Sequence, residues 1–336
     1  MKQHPEVQES ATFSSRWQKD FQESLKTTQE VKEFLKLEYP LAETPYPLFI
    51  PRPFASKIKK AGIDSPLGRQ FLPSFEENAP QGLEDPIADD IHSKGNGIIH
   101  RYKNRILFTP TEVCPIQCRY CFRKNELHKG METFKAHLNK AVVYLKEHSE
   151  VEEVILTGGD PLILSDEKLE VLFSAFSQVS SIKMIRLHSR TPVILPNRIT
   201  PTLLALFRSF EERFHAITLV IHTNHLSEFT PEFLFALSLL RKTKVQLLSQ
   251  SVLLRGVNDD WEDLRALFMG LYRNGVRPYY LHHPDPVKGG MHFMVSREEG
   301  AKVYRELKSN ISGVLLPHYV IETENGGGKT FALTLN

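Results

Sequence analysis

All three cysteines of the chain, Cys114, Cys118 and Cys121, fall within eight consecutive residues. An odd, tightly clustered set is poor disulfide material but suits a metal or cluster site in a reducing compartment. Three thiolates at Cys-x3-Cys-x2-Cys spacing can grip one iron–sulfur cluster through three irons, and with no fourth cysteine one iron keeps an open coordination position. The alternative is zinc completed by a histidine such as His128, since three Cys and one His form a common closed tetrahedron. A second signal is Thr157-Gly158-Gly159-Asp160-Pro161, where glycines let backbone approach a ligand closely and exposed amides could bind an amino-acid head group; by itself it reads equally as a tight turn. A third is Glu322-Thr-Glu-Asn-Gly326-Gly-Gly-Lys329, a lysine on a glycine-rich segment that could swing an amine onto an aldehyde, as a pyridoxal 5′-phosphate (PLP) Schiff base requires. Taken alone, that segment reads as a mobile tail.

These residues need a scaffold, and the sequence supplies one. Short apolar or β-branched runs at Arg105–Phe108, Val154–Thr157, Met184–Leu187, Ile217–Ile221, Val245–Leu248 and Pro278–Leu281 alternate with helical patterns. The predicted helices are Glu132–His148, Asp166–Val179, Pro201–Phe210, Pro231–Arg241, Asp260–Asn274 and Ser296–Asn310, several opening on Ser, Thr or Asp near a cap position. Six βα units imply an α/β fold with a parallel sheet, either a partial barrel or a doubly wound sheet, with active groups in loops at the carboxyl ends of the strands. The cysteine loop follows the first strand and the glycine motif follows the second. Ahead of them, Ser15 to Leu37 is a polar helical pattern and Tyr39 to Ala79 is dense in proline, which together read as a helical cap with an extended wrapping segment. The expected organisation is an accessory region over 1–95, a (β/α)6 body over 96–313, and a C-terminal strand and lysine tail over 314–336.

Composition narrows the function classes. At 336 residues with 41% hydrophobic and 24% charged residues the chain should fold around a sizeable core. Its 42 Lys+Arg against 40 Asp+Glu leave +2, too little to mark a nucleic-acid or anionic-membrane partner. The N-terminal stretch has no apolar leader and no later segment reaches the ~18 apolar residues of a membrane span, so a cytoplasmic protein is expected.

The cysteine spacing, with the aromatic Tyr120 before the last cysteine, resembles the radical S-adenosylmethionine (SAM) superfamily. Adding Ile99-His100-Arg101-Tyr102, the run from Gln250 to Asp259 and the lysine tail, the chain resembles the lysine 2,3-aminomutase family from about Gly97 to Lys329. That resemblance implies a partial (β/α)6 radical SAM barrel, a [4Fe-4S] cluster on Cys114, Cys118 and Cys121, and SAM chelated by the open iron and cleaved to a 5′-deoxyadenosyl radical. It further implies PLP on Lys329 with phosphate contacts from Arg101, Tyr102 and Arg105. Gly158, Gly159 and Asp160 match the glycine motif that meets the methionyl amine of SAM, while His222 and Gln250 match residues near SAM and PLP. Arg123 matches the arginine that grips a substrate carboxylate, a task suited to a bidentate guanidinium. Asp285 and Glu322 match two acids that receive the distal ammonium of L-lysine; two carboxylates select a cation and repel glutamate.

Glu322 departs from the aspartate of the free-standing members. With Pro278-Tyr-Tyr-Leu-His and an end seven residues after Lys329, it is more similar to the branch that supplies β-lysine for modifying elongation factor P. The expected activity is therefore an isomerase converting L-lysine to β-lysine, served by an electron donor such as flavodoxin or ferredoxin. The assembly of longer members does not carry over, so homo-oligomerisation stays open. The competing readings are glutamate 2,3-aminomutase, a PLP-independent radical SAM enzyme, and a non-catalytic zinc scaffold.

Overall fold

The computed structural model describes residues 16–126, 134–322 and 328–333. Its centre is one ten-stranded sheet whose strands lie side by side in chain order: β1 (Ser93–Gly95), β2 (Ile98–Tyr102), β3 (Arg105–Thr111), β4 (Glu153–Gly158), β5 (Met184–Ser189), β6 (Ala216–His222), β7 (Gln246–Val252), β8 (Arg277–His282), β9 (His318–Glu322) and β10 (Lys329–Phe331). From β3 to β9 every neighbouring pair is parallel, whereas β1, β2 and β10 pair antiparallel at the two ends. Helices Phe134–Glu147, Asp166–Ser177, Pro201–Phe210, Pro231–Leu240, Trp261–Arg273 and Arg297–Asn310 connect β3 through β9. These are the six βα units of a partial barrel, followed by a seventh parallel strand.

Local chemistry explains the boundaries. The hydroxyls of Ser165, Thr200 and Thr230 and the carboxylate of Asp260 each accept a backbone N–H of the helix that follows, and Ser296 with Glu299 forms a reciprocal capping box. Alternation within the strands sets the layers. In β5, Ile185 and Leu187 are buried in the apolar core, while Arg186 and His188 face the barrel interior. The interior of a full (β/α) barrel is normally filled by branched apolar side chains. Here the inner ends of β5 to β8 carry His188, His222, Gln250, Tyr280 and His282 instead, and they enclose a cavity of about 240 Å³.

The N-terminal region differs from the expected cap and wrapping segment. Helical turns at 16–22 are separated from helix Thr28–Leu35 by a strand-like bridge of Leu25 to Ile50. The proline-dense stretch contains helices Arg52–Ala61 and Pro66–Arg69. Pro51, Pro53 and Pro66 sit at the openings of these helices, where a missing N–H costs nothing and a fixed φ assists.

Candidate functional site

The cysteine loop leaves the carboxyl end of β3 and is held from both sides. On one side the N-terminal region reaches it through Gln117 N–H to the Phe49 carbonyl (3.0 Å) and Arg119 N–H to the Gln70 carbonyl (2.9 Å). On the other, the turn after β4 donates Gly159 N–H to Thr111 O (2.9 Å) and Asp160 N–H to Val113 O (2.8 Å). The glycines of that turn are required by this contact. A Cβ at Gly159 would stand 2.4 Å from the Val113 carbonyl oxygen, and at Gly158, where φ is +100°, 2.1 Å from the Thr109 methyl. Asp160 commits its carboxylate to the protein: it accepts from Ser189 Oγ (2.7 Å) and from the amides of Leu162 (3.0 Å), Arg190 (2.7 Å) and Thr191 (2.9 Å), which joins the ends of β4 and β5.

Burial pushes all three thiols upward, Cys121 to about 11, and Cys118 and Cys121 raise Cys114 further. Among the described residues no group of three or more His, Cys, Asp and Glu is gathered to hold a single metal ion, and His128 lies outside the described residues. Beside the loop, the fully buried guanidinium of Arg119 donates to both oxygens of Glu77 (2.8 and 2.5 Å), which also accepts from Lys124 Nζ (3.0 Å).

At the opposite side of the cavity, the antiparallel register sets Lys329 directly across from Glu322. Lys329 Nζ donates to Glu322 Oε2 (2.7 Å), and the other oxygen accepts from Arg101 (2.8 Å). Arg101 also donates to Asp89 (3.0 Å), whose second oxygen accepts from Arg123. A continuous chain of alternating charge thus runs Lys329–Glu322–Arg101–Asp89–Arg123, almost all of it buried. Tyr102 accepts the Lys329 backbone N–H (2.7 Å), and the Arg105 guanidinium stacks 3.7 Å above the Tyr102 ring, which ties β2 to β10. Burial, then the neighbouring Glu322, lifts the Asp285 carboxyl to about 7; Glu322 itself is held below its ordinary value by Lys329 and Arg101. His222 and His282 are kept neutral, chiefly by burial, His282 at about 3.

Every residue expected at the site therefore lines one cavity: Cys114, Cys118, Cys121, Gly158, Gly159, Asp160, Arg101, Tyr102, Arg105, Arg123, His222, Gln250, Asp285, Glu322 and Lys329. Arg101, Arg123 and Lys124 are buried and paired with carboxylates, and His283 is buried and paired with Tyr319 Oη (2.7 Å).

Residues 108–268 match the Radical SAM superfamily. Curated relatives named L-lysine 2,3-aminomutase include that of Escherichia coli (strain K12), 39% identical over 85% of this chain and 83% of its own length. The Haemophilus influenzae protein is 37% identical over 85% and 84%, and the Clostridium subterminale protein 32% identical over 94% and 77%. The chain belongs to the lysine 2,3-aminomutase family. Membership makes it an isomerase whose family cofactors are a [4Fe-4S] cluster, SAM and PLP.

The side chains present fit those groups. Three neighbouring thiols that burial keeps protonated gain from a cationic iron cluster that takes their charge. An amine on a cavity wall beside a tyrosine ring, Lys329 Nζ at 5.9 Å from the Tyr280 centroid, suits a flat aldehyde cofactor. Two buried polar atoms on the cavity wall, Arg190 Nε and His188 Nε2, have no protein partner. Sequence reasoning missed Asp89, Glu77, Arg119 and His188. Asp89 and Glu77 carry no local motif, although the position of Arg119 between two cysteines was a usable signal.

Proposed function

We propose that this chain moves the α-amino group of L-lysine to the β-carbon, giving β-lysine. One observation carries the reading: a single cavity is walled by the three thiols and by the amine of Lys329, with Arg101, Arg123, Asp285 and Glu322 on the same lining. When bound, the cluster with SAM supplies a carbon-centred radical able to take an unactivated hydrogen, and PLP supplies a π system that can host the migrating nitrogen.

The protein's part is positioning. Arg123 would hold the substrate carboxylate through its two-pronged guanidinium, already pre-aligned by Asp89 and Glu126. Asp285 and Glu322 would hold the distal ammonium. Burial, and then the like charge of Glu322, raises Asp285, so a cation placed between them draws its proton off and is gripped by both. Glutamate would bring a third carboxylate to the same place and be repelled. Enclosure in the barrel keeps a reactive radical away from solvent and side reactions. The Glu322 position and the Pro278-Tyr-Tyr-Leu-His run support β-lysine supply for elongation factor P as the physiological setting, in the cytoplasm, with a flavodoxin or ferredoxin as reductant.

The test is anaerobic reconstitution with iron, sulfide, PLP, SAM and reductant, followed by mass spectrometry of products. β-Lysine from L-lysine, none from the Lys329→Ala variant, and no β-glutamate from L-glutamate are expected. Turnover of glutamate alone, or full activity without Lys329, overturns the assignment.

A further inference from the structure

Within the cavity nearly every charged side chain has a protein partner. Arg186 grips Glu153 with both Nε (2.9 Å) and Nη2 (2.6 and 2.7 Å), Arg190 is held by Gln70 (2.9 Å) and Glu228 (2.8 Å), His222 meets Tyr120 Oη (3.2 Å), and Lys329 meets Glu322. Arg190 still leaves its Nε unpaired, but His188 is left without any partner at the tip of its ring. It projects from β5 into the barrel interior, lines the cavity, and leaves its buried Nε2 without a hydrogen-bond partner. Buried polar atoms without a partner are rare in folded proteins, so one on a cavity-lining side chain points to a ligand atom that completes it.

The position of His188 indicates which ligand. Lys329, His282, His222 and Arg186 are the groups whose charges act on it, and burial among them holds the imidazole neutral. The groups that act on the three thiols are Asp160, Arg190, Glu228, Arg119, Arg123 and Lys124. His188 thus belongs to the lysine end of the cavity. β5 and β10 lie five strands apart in the sheet, so His188 and Lys329 face each other across the interior rather than side by side. A planar molecule anchored at Lys329 and spanning the cavity towards β5 would bring a ring edge to His188. An anionic phosphate would seek the guanidiniums of Arg101 and Arg105, whereas a neutral imidazole suits an uncharged heteroatom on a ring edge.

We infer that His188 is a PLP-binding residue, its Nε2 hydrogen-bonded to a polar ring atom, the pyridine nitrogen or the phenolic oxygen, of PLP held at Lys329. The inference rests on the PLP reading above and adds a contact to it. His188 thereby fixes the ring's tilt and leaves it without a carboxylate partner at that edge.

The experiment titrates cluster-reconstituted protein with PLP, following the near-visible absorbance of lysine-bound cofactor, and measures SAM affinity separately. The variants are His188→Ala, which removes the atom, and His188→Gln, whose side-chain amide places a nitrogen or oxygen close to the position of Nε2. The expected result is PLP affinity weakened about tenfold or more in the Ala variant and restored to within about threefold by Gln. SAM affinity, iron content and melting temperature should be unchanged in both. PLP affinity within twofold of wild type in the Ala variant overturns the inference. So does a loss confined to SAM, or a loss of PLP in both variants alongside iron and melting temperature, which would mark a structural role. Wild-type protein that forms no adduct at Lys329 overturns this inference and the functional reading together; a normal wild-type adduct with an indifferent Ala variant overturns this inference alone.

Discussion

Asp285 is placed where its charge works against the fold. Its carboxyl ordinarily titrates near 3.8, but burial and then Glu322 lift it to about 7, only partly countered by Lys329. A carboxyl with a raised folded pKa binds its proton in the native state while the unfolded chain has released it. Stability therefore falls as pH rises from about 4 to about 7, and the full cost is present above that window. The gap between the two values, at 1.36 kcal/mol per pH unit, corresponds to about 4 kcal/mol. Asp285→Asn keeps the shape and removes the charge. At pH 8 the cofactor-free variant should be more stable than wild type by about 2–4 kcal/mol, a gain that shrinks to under half of that at pH 5 and vanishes near pH 4. Urea unfolding followed by tryptophan fluorescence at the three pH values, with equal denaturant slopes, measures this directly. The same variant should lose aminomutase activity if Asp285 is half of the proposed ammonium site. A variant no more stable than wild type at pH 8, or one with the same gain at every pH, would refute the reasoning.

Two other perturbations probe the remainder of the cavity. Gly159→Ala places a methyl 2.4 Å from the Val113 carbonyl oxygen and 2.6 Å from the Glu112 carbonyl carbon, backbone that cannot yield cheaply. It should cost about 2 kcal/mol or more and lower bound iron after reconstitution, although no ligand is touched; iron and sulfide assay beside a melting curve checks both. Arg123→Lys keeps the charge but cannot span Asp89 and Glu126 while offering a fork to a carboxylate. KM for lysine should rise about tenfold or more with a smaller change in kcat, as steady-state kinetics would show, and equal losses in both would point to a role outside substrate binding.

What could be read in the sequence was read where the chain is its own context. The βα rhythm was legible because periodicity, caps and strand composition are local, and helix Pro201–Phe210 was placed to the residue. The thiol trio and Lys329 stand out in the sequence because their chemistry is concentrated in short segments, and the fold brings them to one cavity. The proline-dense stretch misled for a physical reason: the same residue that breaks a helix interior favours a helix start, and Pro51, Pro53 and Pro66 all act in the second way.

The electrostatic state of the site was not legible, because the groups that set it are far from the groups it serves. Asp89 stands 12 residues before Arg101 and 34 before Arg123, and Arg101 meets Glu322 across 221 positions. No pattern marks Asp89 as the link between the two guanidiniums, and an aspartate there reads as a surface charge until the fold buries it. Once buried, its removal would leave two guanidiniums in a low-dielectric site without their shared counter-charge, which is more costly than never having built the pair. Glu77 does the same for Arg119 and Lys124 beside the cysteine loop. The N-terminal segment therefore cannot be an indifferent cap on a self-sufficient barrel. It carries the negative charges that let a row of buried cations face a cavity, and the barrel's own motifs hold their geometry only while those charges are in place.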